Sequence, residues 1–143
     1  MHQLHARMRI PLQYGGDPAS TRLFLVCNDT GSDVLTVFRS DLAMLQFDPA
    51  RHGGALQGSQ LLDTPISSAP QTFVEVEMQV LTSSLVELTP CFVETAVIKA
   101  DSMGAARLSG QMMRQYLFFG TAPGNDRLYV AQEKAGLIRD MPA

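Results

Sequence analysis

LFLVCNDTGSDVLTVF, residues 23–38, sets the tetrapeptide Asp29–Ser32 between two apolar runs rich in β-forming residues. Outward on one side, RLFLVC (Arg22–Cys27) reads as a strand, and its nearly unbroken apolar composition predicts cover on both faces. On the other side DVLTVF (Asp33–Phe38) reads as a second strand. A strand that runs into an acid and leaves along another strand holds that carboxylate in a fixed place. A carboxylate that activates water needs such a place at the floor of a cleft, and Gly31 offers a tight turn for it. Thr30 can lock the turn through its hydroxyl, and Ser32 can donate a hydrogen bond to the Asp29 carboxylate.

Strands dominate the rest of the chain. ARMRIPLQY (Ala6–Tyr14) is expected as the first strand, closed by the turn cluster GGDPAS. SDLAMLQ (Ser40–Gln46) starts with a capping-type Ser and predicts about two helical turns. Residues 48–71, rich in Pro, Gly and Ser, read as a long loop or hairpin. TFVEVEMQVL (Thr72–Leu81) alternates most clearly, with Val74, Val76, Met78 and Val80 on a buried face and Glu75, Glu77 and Gln79 on a wet one. LVELTPCFVETAVIKA (Leu85–Ala100) supplies one or two further strands, broken near Pro90. SGQMMRQYLFFG (Ser109–Gly120) predicts the one substantial helix, on the spacing of Met112, Met113, Tyr116, Leu117 and Phe119 and a Gly stop. RLYVAQ (Arg127–Gln132) is a last strand, and the expected class is an all-β, barrel-like domain.

With 143 residues, 45% of them hydrophobic and 17% charged, the chain suits one globular domain over residues 1–143. A net charge of −3, with only 11 Lys and Arg and no basic run, argues against nucleic acid as a partner. The longest apolar stretch is far short of the roughly 20 residues of a membrane helix, and MHQLHARMRI is too polar for a signal-peptide core. No membrane partner is expected, and the expected location is cytoplasmic. Cys27 and Cys91 sit among apolar neighbours and are read as buried free thiols rather than a disulfide. His2, His5 and His52 lack partners at metal-binding spacing and are read as solvent-exposed, so no metal or other cofactor is expected.

DTGS entered and left by apolar strands resembles the active-site loop of the retropepsin-like aspartic proteases. The similarity extends over Ala6–Gln132. DVLTVF, the 48–71 segment, TFVEVEMQVL, VETAVIKA, RLSG with QMMRQYLFF, and RLYVAQ follow in that family's order of strand, flap, strands, apolar-Gly signature with helix, and interface strand. The resemblance implies a closed, barrel-like all-β fold with one lobe per chain and one short C-terminal helix. It places a flap at about residues 48–75 and an interface strand at about 127–132. It further implies a homodimer acting on a peptide or protein substrate, because the chemistry needs two carboxylates sharing a proton and the chain has one DTGS. Asp29 is then the catalytic residue, Thr30, Gly31 and Ser32 form the active-site loop, and Gly31 and Asp33 bind substrate backbone. An acidic optimum follows, and HGGALQG (His52–Gly58) is the one candidate for a glycine-rich flap tip.

Other readings of the same residues are open. Asn28 and Ser109 stand where the family carries apolar residues, which motivates a retroelement-derived dimerisation or binding module that has lost efficient proteolysis. A third reading is a small β-barrel carrier with an apolar pocket, and DTGS can also be a plain Asp-Gly turn between strands. A strand-D-x-D phosphotransfer loop is disfavoured because Gly31 stands where the second acid is needed. GGALQG has the wrong spacing for a dinucleotide fingerprint. Glu75 and Glu77 most simply mark a solvated sheet face.

Overall fold

Alternation along one long strand sets the architecture. In the computed structural model, which describes residues 2–61 and 70–142, β5 (Pro70–Leu81) buries Val74, Val76, Met78 and Val80 and leaves Glu75 and Glu77 partly exposed. Gln79 departs from the expected wet face: it is buried, and its amide donates to the Thr89 carbonyl at 3.0 Å. At 12 residues, β5 is long enough to hold β1 (Gln3–Arg9) along its C-terminal half and β4 (Leu56–Leu61) along its N-terminal half. Its other edge takes β6 (Phe92–Lys99), again antiparallel. Beyond β1 lies β2 (Arg22–Cys27), and beyond β6 lies β3 (Leu35–Phe38), which runs parallel to β6.

The sheet order is therefore β2-β1-β5-β6-β3 with β4 added to β5, and the sheet curls into a half-barrel. Ala6, Met8, Phe24, Val26, Leu35, Val37, Val76 and Val80 fill it. Short helices α1 (Arg39–Met44), α2 (Pro49–His52) and α3 (Lys134–Asp140) flank the strands. A second sheet, the antiparallel pair β7 (Phe118–Thr121) and β8 (Leu128–Ala131), packs Phe119, Leu128 and Val130 against the same core.

The ends of the large sheet are joined at one place. Residues Arg107–Ser109 pass between the last residue of β2 and the start of β3. Cys27 N–H donates to Arg107 O at 2.7 Å, Ser109 N–H to Cys27 O at 2.9 Å, and Thr36 N–H to Leu108 O at 2.9 Å. The segment is anchored by Arg107, whose Nε and Nη2 reach Oδ2 and Oδ1 of Asp41, each at 2.8 Å. Asp41 is 1% exposed and also accepts the Phe38 N–H at 2.9 Å. The Arg107 guanidinium lies over two rings, 5.1 Å from the Phe24 centroid and 5.5 Å from that of Phe38.

Several local expectations are corrected. The first strand covers Gln3–Arg9 rather than Ala6–Tyr14, because Pro11 has no N–H for a ladder and Leu12–Tyr14 turns as a 3-10 helix. No helix forms over Ser109–Gly120. Met112–Gln115 make a 3-10 turn, and the aromatic run that follows joins β7, while Met113 in that turn and Leu117 just after it fill the core. The C-terminal helix is instead α3, and the strand expected at 127–132 is β8, paired to β7.

Burial also departs from the sequence reading at particular side chains. On β2 the outward Leu23 and Leu25 are 45% and 43% exposed, so this strand is covered on one face only. Cys91 is exposed although Cys27 is buried, and both are free. His52 is buried, its Nδ1 accepting the Asp48 N–H at 2.9 Å. The His52–Gly58 stretch is the end of α2, a 3-10 turn and the start of β4, so it is not a hairpin tip. The remainder of the expected flap, residues 62–69, lies outside the described residues.

Replacing Arg107 by Met should leave the buried Asp41 carboxylate without its cation and lower stability by about 3 kcal/mol. Urea unfolding of the variant beside the parent chain measures this.

Candidate active site

The Asp29 loop is held mainly from below. As β2 ends, the Asn28 N–H donates to the His2 carbonyl at 2.8 Å. The next residue meets Ser109, which is fully buried: the Asp29 N–H donates to Ser109 Oγ at 2.9 Å, and that hydroxyl lies 3.3 Å from the Asp29 carbonyl oxygen that accepts from it. Arg114, from the 3-10 turn, donates through Nη2 to the Asp29 carbonyl and, at 3.2 Å, to that of Ser32. One guanidinium thus ties together both ends of the tetrapeptide. Ser109 therefore has a function at its position that an aliphatic side chain would lack.

The carboxylate itself is oriented locally. Gly31 N–H donates to Asp29 Oδ1 at 2.9 Å, an Asx-type turn that leaves Oδ2 outside this bond. Gly31 does not adopt a left-handed conformation, and a Cβ placed on it would touch only Asp29 Oδ1, at 3.4 Å. The turn thus forms without needing glycine's conformational freedom at position 31. Two further expectations change. The Ser32 hydroxyl donates to the Val34 carbonyl at 2.7 Å rather than to the Asp29 carboxylate. Thr30 is exposed, and among the described residues its hydroxyl has no partner, so the lock comes from Ser109 and Arg114. Asp33 is exposed beyond the turn.

Two buried side-chain polar atoms among the described residues lack a hydrogen-bond partner, Asn28 Oδ1 and Arg114 Nε. Both belong to residues that flank or grip Asp29. An apolar residue at 28 would avoid the cost of burying a carbonyl oxygen unpaired.

Glu94 is the residue that sequence reading missed. It lies on β6 on the same inward face as Phe92 and Ala96, 2% exposed. Its Oε2 accepts the Met112 N–H at 2.8 Å and its Oε1 the Thr95 N–H at 3.1 Å. Burial pushes its carboxyl above the ordinary 4.5, against the opposing pull of those two amides and of the Arg114 charge. The signal was present in VETAVIKA: period-2 counting from Phe92 puts an acid on the buried face. Nothing comparable marks Arg114, because its role depends on a turn that helical spacing hides.

Among the described residues no group of three or more His, Cys, Asp or Glu is placed to hold a metal, and no helix is long and apolar enough to cross a membrane. A groove of about 620 Å3 on the solvent side of β1, β2 and β5 is lined by Arg7, Arg9, Arg22 and Glu77, and no residue of the tetrapeptide lines it. No protein-family model matches the sequence, and no curated protein matches it.

Two stability outcomes follow from this geometry. Asn28→Val should raise stability by about 1 kcal/mol by removing the unpaired oxygen, read as a higher thermal midpoint. For Glu94 the folded value is raised, so its stabilisation is full below about pH 4.5 and is lost as pH rises through the raised value. Glu94→Gln cannot ionise and should flatten that decline, measured by urea midpoints between about pH 4 and 8.

Proposed function

We propose that this chain is one half of a homodimeric, retropepsin-like aspartic endopeptidase. The observation that carries the reading is the Asp29 loop: a partly exposed carboxylate oriented by Gly31 N–H, on a turn held by Ser109 of the segment threaded between its flanking strands and by Arg114 of the 3-10 turn that follows. The element order supports it as well. Two antiparallel strands lead to the acid, a third leaves it, a hairpin of β4 and β5 follows, and the segment after β6 returns beneath the acid.

One such carboxylate cannot carry out acid–base hydrolysis of an amide alone. Two of them brought together by a twofold axis share one proton, since like charges at short range do not both ionise. The ionised Asp29 takes a proton from the water between them while its protonated mate gives one to the carbonyl oxygen of the scissile peptide. Water oxygen bonds to the carbonyl carbon and a neutral gem-diol forms. Collapse returns a proton to a carboxylate, the other carboxylate's proton goes to the departing nitrogen, and the C–N bond breaks. Thr30, exposed and without a partner among the described residues, is available to brace the loop against the second copy. Gly31 and the exposed Asp33 would meet substrate backbone on the open side of the turn, and the antiparallel pair β4 and β5 would take the part of the flap.

The unpaired Asn28 oxygen favours a second reading, in which the chain keeps the dimeric fold as a binding module with weakened catalysis. A pepstatin-type transition-state analogue separates the two, because tight binding needs an intact pair of carboxylates.

Asp29→Asn should abolish peptide cleavage at every pH while the protein remains dimeric by sedimentation. Residual cleavage, or a monomer at the concentration where the parent chain is active, would overturn the assignment.

A further inference from the structure

Both ties on the Asp29 loop lead back to one buried acid that the proposed reaction does not use. Glu94 covers Gly110 so closely that a Cβ there would come within 2.5 Å of its carboxyl carbon. Gly110 directly follows Ser109, which holds the Asp29 N–H. On the far side, Glu94 Oε2 takes the N–H of Met112, the first residue of the 3-10 turn that carries Arg114. Arg114 in turn grips the carbonyls of Asp29 and Ser32, and its Nε is buried without a partner. Its hydrogen bonds thus go to the loop, and it forms no ion pair with Glu94 among the described residues.

We infer that Glu94 is a positioning residue for Asp29, acting through Met112 and Arg114. The chain of contacts runs from β6 to the Met112 amide, from that turn to the Arg114 guanidinium, and from there to the two carbonyls that bracket the tetrapeptide. A carboxylate suits the place because two backbone N–H groups converge on it and it has an acceptor oxygen for each. Gln offers one oxygen and would set its NH2 against the second N–H. Leu offers none, yet fits an inward position between Phe92 and Ala96. Lys at 114 keeps the charge but lacks the planar fork that spans two carbonyls.

The inference rests on the proposed function only for what the positioning serves, so its test is read without substrate. Amide hydrogen exchange is followed at Asp29 and Gly31, with Val76 and Val80 of β5 as the global reference. Glu94→Leu and Arg114→Lys should each speed exchange at the two loop amides by about tenfold relative to the β5 amides. The double variant should be no faster than either single one, because both changes cut the same path. Glu94→Gln should fall between the parent chain and Glu94→Leu. Unchanged loop exchange in Glu94→Leu, a uniform rise in loop and β5 alike, or additive effects in the double variant would each overturn the inference. So would a Glu94→Gln chain that fails to fold, since burial already favours the uncharged carboxyl there. Where the parent chain cleaves peptide, the same variants should lower kcat about tenfold with KM unchanged. A parent chain that is inert while its loop exchange responds as stated would remove the peptidase reading and leave the positioning intact.

Discussion

Everything about the site depends on three backbone hydrogen bonds. Cys27 exchanges bonds with Arg107 and Ser109, and Thr36 donates to Leu108 between them. Strands β2 and β3 are the two ends of a long sheet and make no ladder with each other. The threaded segment is what joins them, and the turn that joins them covalently is the one that bears Asp29. A turn between unpaired strands would ordinarily be loose, with few constraints on its backbone. Here the segment beneath it carries Ser109 and leads to Arg114, so the loop's rigidity comes from residues about 80 positions later in the chain.

The threaded segment is held at each end by a buried acid, and the two acids solve different problems. Asp41 meets a guanidinium in a bidentate pair stacked against two aromatic rings, so its charge is matched and shielded. Glu94 meets backbone amides and forms no ion pair among the described residues, so burial outweighs the pull of those amides and of the Arg114 charge, and the proton is held more tightly than usual. Gly110 connects these requirements. A side chain there would put a Cβ 2.5 Å from the Glu94 carboxyl carbon, so that carboxyl or the backbone beside it would have to shift.

The sheet was largely legible in the sequence, and the reason is periodicity. The alternation of Thr72–Leu81 matches β5 because strand burial repeats every two residues and needs no knowledge of partners, while the apolar run Arg22–Cys27 gave the bounds of β2 but not its open face. The stretch Ser109–Gly120 was misread for the opposite reason. Its apolar spacing fits a helix, but Met113 reaches the core from a 3-10 turn whose first amide is taken by Glu94 and Leu117 from just beyond that turn, and a contact 18 residues away cannot be seen in local spacing. That residues 29–32 turn between two strands was readable. The supports of that turn were not: Ser109 looked like a defect in an apolar motif, and Ser32 looked like a carboxylate partner until Val34 took its hydroxyl.

The two unpaired buried atoms bear on which kind of turn this is. Native chains satisfy nearly all buried polar groups, and exceptions gather where geometry is fixed for a purpose other than stability. Among the described residues the exceptions are Asn28 Oδ1 and Arg114 Nε, one preceding Asp29 in the chain and the other in the side chain that grips its carbonyl. A plain connection between strands would gain stability from an apolar residue at 28 and would have no need of a half-buried arginine gripping its carbonyls. Removing either side chain would leave the sheet's ladders untouched, and of the two only Arg114 donates to the tetrapeptide's backbone. Both costs fall next to a single carboxylate whose backbone is held on its N–H by Ser109 and on its carbonyl by Arg114, which is the arrangement the proposed function calls for.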